Sequence, residues 1–114
     1  GKDPDAGPTS EEFFERYEAA YGHAPDFVAA QGYNIGVVIE ECIGRAGVLD
    51  RRTLRDIARE IDFRTFYGRF KTDARGGQTG HEMVTVQWQG GGKAVVYPEA
   101  PASGRLVYPA RFNF

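Results

Sequence analysis

The chain has 114 residues, 41% of them hydrophobic and 26% charged, with a formal net charge of −2. That length can bury one core of ordinary globular composition. Interspersed charges exclude the basic footprint of a nucleic-acid binder, and no apolar run approaches the ~20 residues of a bilayer-spanning helix.

Residues 1–8 are polar and rich in Pro and Gly, and read as a flexible lead-in. Thr9-Ser10-Glu11-Glu12 fits a capping box, in which the Thr9 hydroxyl serves the Glu12 amide and the Glu12 side chain reaches back. Phe13, Tyr17, Ala20 and Tyr21 then recur at helical spacing, and Gly22 is a natural stop. Asp26 is placed to cap a longer helix running to about Ala46, closed by Gly47. Its body, Ile35-Gly36-Val37-Val38-Ile39, is apolar around most of its circumference, which predicts burial on more than one side. Gly32, Gly36 and Gly44 lie on a shared face, where tight helix packing is the expected use. The single cysteine, Cys42, has no disulfide or metal-ligand companion and reads as a buried thiol in this helix.

Asp50 caps a third helix whose stripe is Leu54, Ile57, Ala58 and Ile61, with the arginines outward. Phe63 to Thr72 reads as extended, with Phe66 and Phe70 on one face, and Asp73 to Gln78 as turn chemistry. Met83 to Gln89 alternates, with Val84, Val86 and Trp88 on one face and Thr85 and Gln87 on the other. Gly90-Gly91-Gly92 makes the turn, and Ala94 to Tyr97 returns before Pro98. A two-stranded hairpin is marginal alone, so its apolar face needs a partner. Residues 99–114 read as an extended tail.

These motifs, in this order, resemble a known family. Phe13-Phe14-Glu15-Arg16-Tyr17 and Tyr21-Gly22-His23-Ala24-Pro25 lead into Ala29-Ala30-Gln31-Gly32-Tyr33-Asn34. Arg45-Ala46-Gly47, Leu54-Arg55-Asp56-Ile57 and Thr65-Phe66-Tyr67-Gly68-Arg69-Phe70-Lys71-Thr72-Asp73 follow. Val86-Gln87-Trp88-Gln89 and Lys93-Ala94-Val95-Val96-Tyr97-Pro98 complete the set. The chain resembles the C-terminal part of type I periplasmic solute-binding proteins, the branched-chain amino acid branch of the ABC-transporter system, over residues 9–98. The resemblance implies an α/β fold. In it this piece supplies three helices, an extended strand and a C-terminal β-hairpin of a two-lobed protein that closes on its ligand. Asn34 departs from the aspartate usual at that position, and no ligand preference is built on it.

The resemblance also implies a non-enzymatic, extracytoplasmic binding component for branched-chain or related amino acids, periplasmic or membrane-anchored outside the cell, feeding a membrane ABC permease. It places the ligand cleft at the start of the second helix, which makes Phe27, Val28, Gln31 and Tyr33 the candidate ligand-binding residues. The competing reading has Phe27 and Tyr33 in the core and Gln31 solvated. The principal ligand anchors are expected outside these 114 residues, so tight binding by this chain alone is not expected. No cofactor, catalytic set or metal site is expected. His23 and His81 both look exposed, His81 at the start of a strand. Glu40-Glu41 and Glu11-Glu12 diverge by about 100° on their helices. Gly90-Gly91-Gly92-Lys93 joins strands and leads into no helix, unlike a phosphate loop. The alternatives are an intracellular amino-acid or amide sensor of the same fold and a stand-alone module that forms a homodimer through the exposed hairpin.

Overall fold

The computed structural model describes residues 3–109. It contains three helices and two small antiparallel sheets, α1 (Ser10–Tyr21), α2 (Phe27–Ala46), α3 (Arg51–Glu60), β1 (Asp62–Thr65), β2 (Gly68–Lys71), β3 (Thr85–Gln89) and β4 (Gly92–Tyr97). The chain divides into two compact units, Gly1–His81 and Glu82–Phe114.

Local chemistry sets the helix ends of the first unit. The Thr9 hydroxyl accepts from the Glu12 amide while the Glu12 carboxylate accepts from the Thr9 amide at 2.9 Å, so two orphan donors are satisfied at once. Asp26 and Asp50 accept from the amides of Ala29 and Thr53, and Gly22 and Gly47 close α1 and α2. The expected bounds of α2 and its Asp26 and Gly47 caps all hold.

The core forms where α2 meets α3 and β1. Val37 and Cys42 from one face of α2 pack with Ile61 and Phe63, flanked by Leu54, Ile57, Ala58 and Phe70. Burial pushes the Cys42 thiol pKa up, with the neighbouring Glu41 charge adding to the effect. A second apolar centre is aromatic: the Phe13 ring stacks on Phe66 at 4.7 Å between centroids and meets Tyr33 at 5.0 Å.

Four expectations need correction. The stretch after α3 is two strands, because Phe66-Tyr67 forms a two-residue turn that pairs Thr65 with Gly68 and Phe63 with Phe70. Phe70 therefore shares its side with Phe63, at 5.7 Å between rings, while Phe66 turns towards Phe13. Gly68 makes this possible: its φ of 141° suits glycine, and a Cβ there would sit 2.8 Å from His81 Nδ1. The second correction concerns the start of the chain. Asp5 and Ala6 donate backbone hydrogen bonds to Arg64 O, and the Asp5 carboxylate accepts from the Arg64 amide, so this segment is docked along β1. Third, α2 is less buried than its apolar circumference predicts: Val37 and Cys42 are buried, whereas Ile35 and Ile39 are exposed. Fourth, no atom approaches within 4 Å of a Cβ built at Gly32, Gly36 or Gly44, so these glycines serve no close packing among the described residues.

In the second unit, Gly90 and Gly91 both take positive φ, 58° and 82°, as a two-residue hairpin turn requires. β3 starts at Thr85, two residues later than expected, with a register irregularity between Thr85 and Val86. His81 accordingly lies ahead of the strand rather than at its start. The covered face of β3 is the polar one. The Gln87 amide donates to Val107 O at 2.9 Å and accepts from Val107 N at 3.0 Å, so its side chain bonds as a strand neighbour does. Gln89 donates to Arg105 O at 2.7 Å, and the Ser103 hydroxyl accepts from the Val95 amide. Residues 103–107 thus lie over the glutamines, whereas Val86 and Trp88 are 48% and 66% exposed. Lys93, cross-strand from Trp88, holds its ammonium 5.4 Å from the indole centroid.

Replacing Phe63 by Ala should destabilise the first unit by about 3 kcal/mol, read from urea unfolding, since it opens a void at the crossing of α2, α3 and β1. A pH effect is expected at the β1–β2 edge. Hydrogen bonds from Arg69 above all, then Lys71, lower the Asp62 carboxyl pKa to about 2. Because the folded value lies below the unfolded one, the contribution is present above pH ~4 and is lost as pH falls towards 2. Carboxyl chemical shifts should place the Asp62 midpoint near 2 and move it up towards the ordinary aspartate range in Arg69→Gln, with Lys71 still holding it below that range.

Candidate functional site

The start of α2 carries the residues expected to face a ligand. Helical spacing puts Phe27, Val28 and Gln31 on one flank and Tyr33 on the other. Phe27 is 71% and Val28 57% exposed, so neither belongs to the core. Asp26 takes the Ala29 amide at 2.8 Å, and the amides of Phe27 and Val28, in the same first turn, have no intrahelical acceptor. Tyr33, itself 44% exposed, instead borders the aromatic cluster, 5.0 Å from Phe13 and 5.9 Å from Phe66. The structure brings three of the four together and directs the fourth elsewhere.

Gln31 is tied to the β1–β2 turn: its amide donates to the Tyr67 hydroxyl at 3.0 Å. The Tyr67 ring in turn lies parallel to His81, at 5.5 Å and an interplanar angle of 11°. Gln31, Tyr67 and His81 therefore make a connected polar-aromatic surface beside Phe27 and Val28. Tyr67 and His81 were missed in the sequence. Gln31 and Tyr67 are 36 positions apart, and nothing local to either points to the other. Below this surface the Thr65 hydroxyl donates to Asn34 Oδ1 at 2.6 Å and accepts from the Tyr67 amide at 3.1 Å. Thr65 is buried, so this pair fixes the turn that carries Tyr67 against the body of α2.

The other flank of α2 borders a groove of about 420 Å³ between α1 and α2, lined by Phe13, Arg16, Tyr17, Tyr21, Gly32 and Tyr33. Of the four candidates, only Tyr33 reaches it. The spacing of Phe13, Tyr17 and Tyr21 signalled an aromatic helix face, but gave no sign that a concavity follows it.

A family model of periplasmic binding proteins matches residues 2–93. The chain belongs to the periplasmic binding protein family. This agrees with the family resemblance carried by the motifs, and with the mixed α/β character of the structure. Membership supports a solute-binding role for a family that is generally non-enzymatic. No solved structure matches the chain. Among the described residues no group of three or more His, Cys, Asp or Glu is placed to hold a metal ion, and no helix is long and apolar enough to cross a membrane. His23 is turned to its own loop, with Nδ1 2.9 Å from Ala24 O and the ring against Tyr17.

Gly68→Ala provides a test of how this surface is held. The added Cβ conflicts with His81, and the backbone conformation is strained for an L side chain. Loss of the Tyr67–His81 ring contact is expected, seen as a downfield movement of the His81 ring protons, with a stability cost of about 1–2 kcal/mol in denaturant unfolding.

Proposed function

We propose that this chain is the C-terminal part of an extracytoplasmic solute-binding protein that delivers branched-chain or related amino acids to a membrane ABC permease. The observation that carries this reading is the exposed apolar pair Phe27–Val28 beside unbonded amides at the start of α2, in a chain of the periplasmic binding protein family. Free N–H groups and the positive end of the helix dipole suit a carboxylate, and Phe27 and Val28 suit a branched apolar side chain. Gln31, oriented by Tyr67, supplies a neutral donor and acceptor at the edge.

In this reading the surface is one wall of a cleft, and a second lobe supplies the groups that grip the ligand. Closure of the lobes over the solute is what the permease recognises. The compartment is the periplasm, or the outer face of the membrane through an anchor. One wall alone buries too little of an amino acid to hold it tightly.

Calorimetry with leucine provides the test. The 114-residue chain should show no affinity tighter than about millimolar, and micromolar binding by it would sink the proposal. In a two-lobed protein containing this segment, Val28→Asp should weaken leucine binding at least about tenfold, because it sets a like charge beside the carboxylate. A homodimerising module is the second reading, favoured by the exposure of Val84, Val86 and Trp88. Sedimentation of the wild-type chain and Trp88→Ala at micromolar concentration separates the two, a folded monomer counting against dimerisation.

A further inference from the structure

The groove between α1 and α2 has a chemistry distinct from the wall at the start of α2. Its sides are aromatic: Tyr17 and Tyr21 lie 4.5 Å apart between ring centroids, and Phe13 and Tyr33 lie 5.0 Å apart. At about 420 Å³ it falls within the size range of small-molecule sites. Arg16 is the one charged residue among those that line it, and none of the ion pairs among the described residues involves Arg16.

None of the acids of α1 forms an ion pair with this charge. Helical spacing puts Glu15 and Glu18 on the side of α1 away from Phe13 and Tyr17. Glu12, one turn before Arg16, keeps its charge, but its Oε2 accepts from the Thr9 amide at 2.9 Å and it forms no ion pair with Arg16. The result is an apolar concavity with one unpaired cation at its margin. Gly32 forms part of the opposite side, and a Cβ there would meet nothing within 4 Å, so open space begins at its Cα.

We propose that this groove is a second ligand site, specific for a small organic carboxylate with an aromatic or branched apolar body. The carboxylate bonds the Arg16 guanidinium at the rim, and the apolar body lies against the tyrosine rings over Gly32. The planar guanidinium forks onto two carboxylate oxygens, which a neutral amide cannot reproduce. Its place on the Tyr33 flank of α2 separates it from Phe27, Val28 and Gln31, so occupancy of one site is independent of the other.

Titration of the isotopically labelled 114-residue chain with 3-phenylpropanoate, followed by amide chemical shifts, tests the assignment. Saturable shifts are expected at Tyr17, Gly32 and Tyr33, with 3-phenylpropanamide binding at least about tenfold more weakly. Arg16→Gln should abolish the preference for the acid over the amide. Gly32→Leu fills the groove while improving helix propensity, so it should keep or raise the unfolding midpoint and abolish the shifts. Equal binding of acid and amide, binding that survives Gly32→Leu, or the absence of saturable shifts up to about 10 mM would each overturn the proposal. Shifts confined to Phe27, Val28 and Gln31 would overturn it too, while leaving the wall at the start of α2 as the solute surface.

Discussion

The packing of Ile61 and Phe63 against Val37 and Cys42 is the contact on which the first unit depends. It joins the middle of α2 to the end of α3 and to β1 in one apolar cluster. Because Phe63 pairs with Phe70, the same contact seats the β1–β2 hairpin on the helices. The position of that hairpin then decides where Phe66 and Tyr67 go. Phe66 enters the aromatic centre with Phe13 and Tyr33, and Tyr67 meets Gln31. The buried Thr65–Asn34 hydrogen bond adds direction to what packing alone leaves loose, since a buried hydroxyl without a partner is costly.

This arrangement gives α2 three environments around one axis. One flank, with Val37 and Cys42, is core. A second, at the N-terminal end, carries Phe27, Val28 and Gln31 outward. A third opens through Gly32 and Tyr33 into the groove with α1. A helix apolar nearly all round is what a protein needs when successive layers pack on it from different sides. In the described residues no layer covers Ile35 and Ile39, which stand exposed. The glycines on that outer surface have the same character: they leave room that nothing in these residues occupies.

Much of the helical architecture was legible because its signals are local. Thr9 with Glu12, Asp26 with Ala29 and Asp50 with Thr53 act within three residues, so the caps and bounds followed from spacing. The tail over the hairpin was not legible in this way. Gln87 and Gln89 look like the solvent side of an alternating strand, and only their bonds to Val107 and Arg105 make that side the covered one. The alternation itself was correct; which face is inside depended on a segment about 20 residues later. The β1–β2 turn was missed for a related reason: Phe66 and Phe70 are spaced to share a strand face, and the Phe66-Tyr67 step that breaks the strand carries a weaker local signal than Asn-Gly.

The sequence by itself determined the three helices and their caps, a glycine turn within Gly90-Gly91-Gly92 and the family. These depend on hydrogen bonds and periodicities that close within a few residues, and on an ordered series of motifs. Only the tertiary structure decided that Tyr33 belongs to the aromatic centre, that Gln31 is held by Tyr67, and that a groove with an unpaired Arg16 lies between α1 and α2. Each of these rests on residues brought together across loops, by contacts between distant positions that no local pattern encodes.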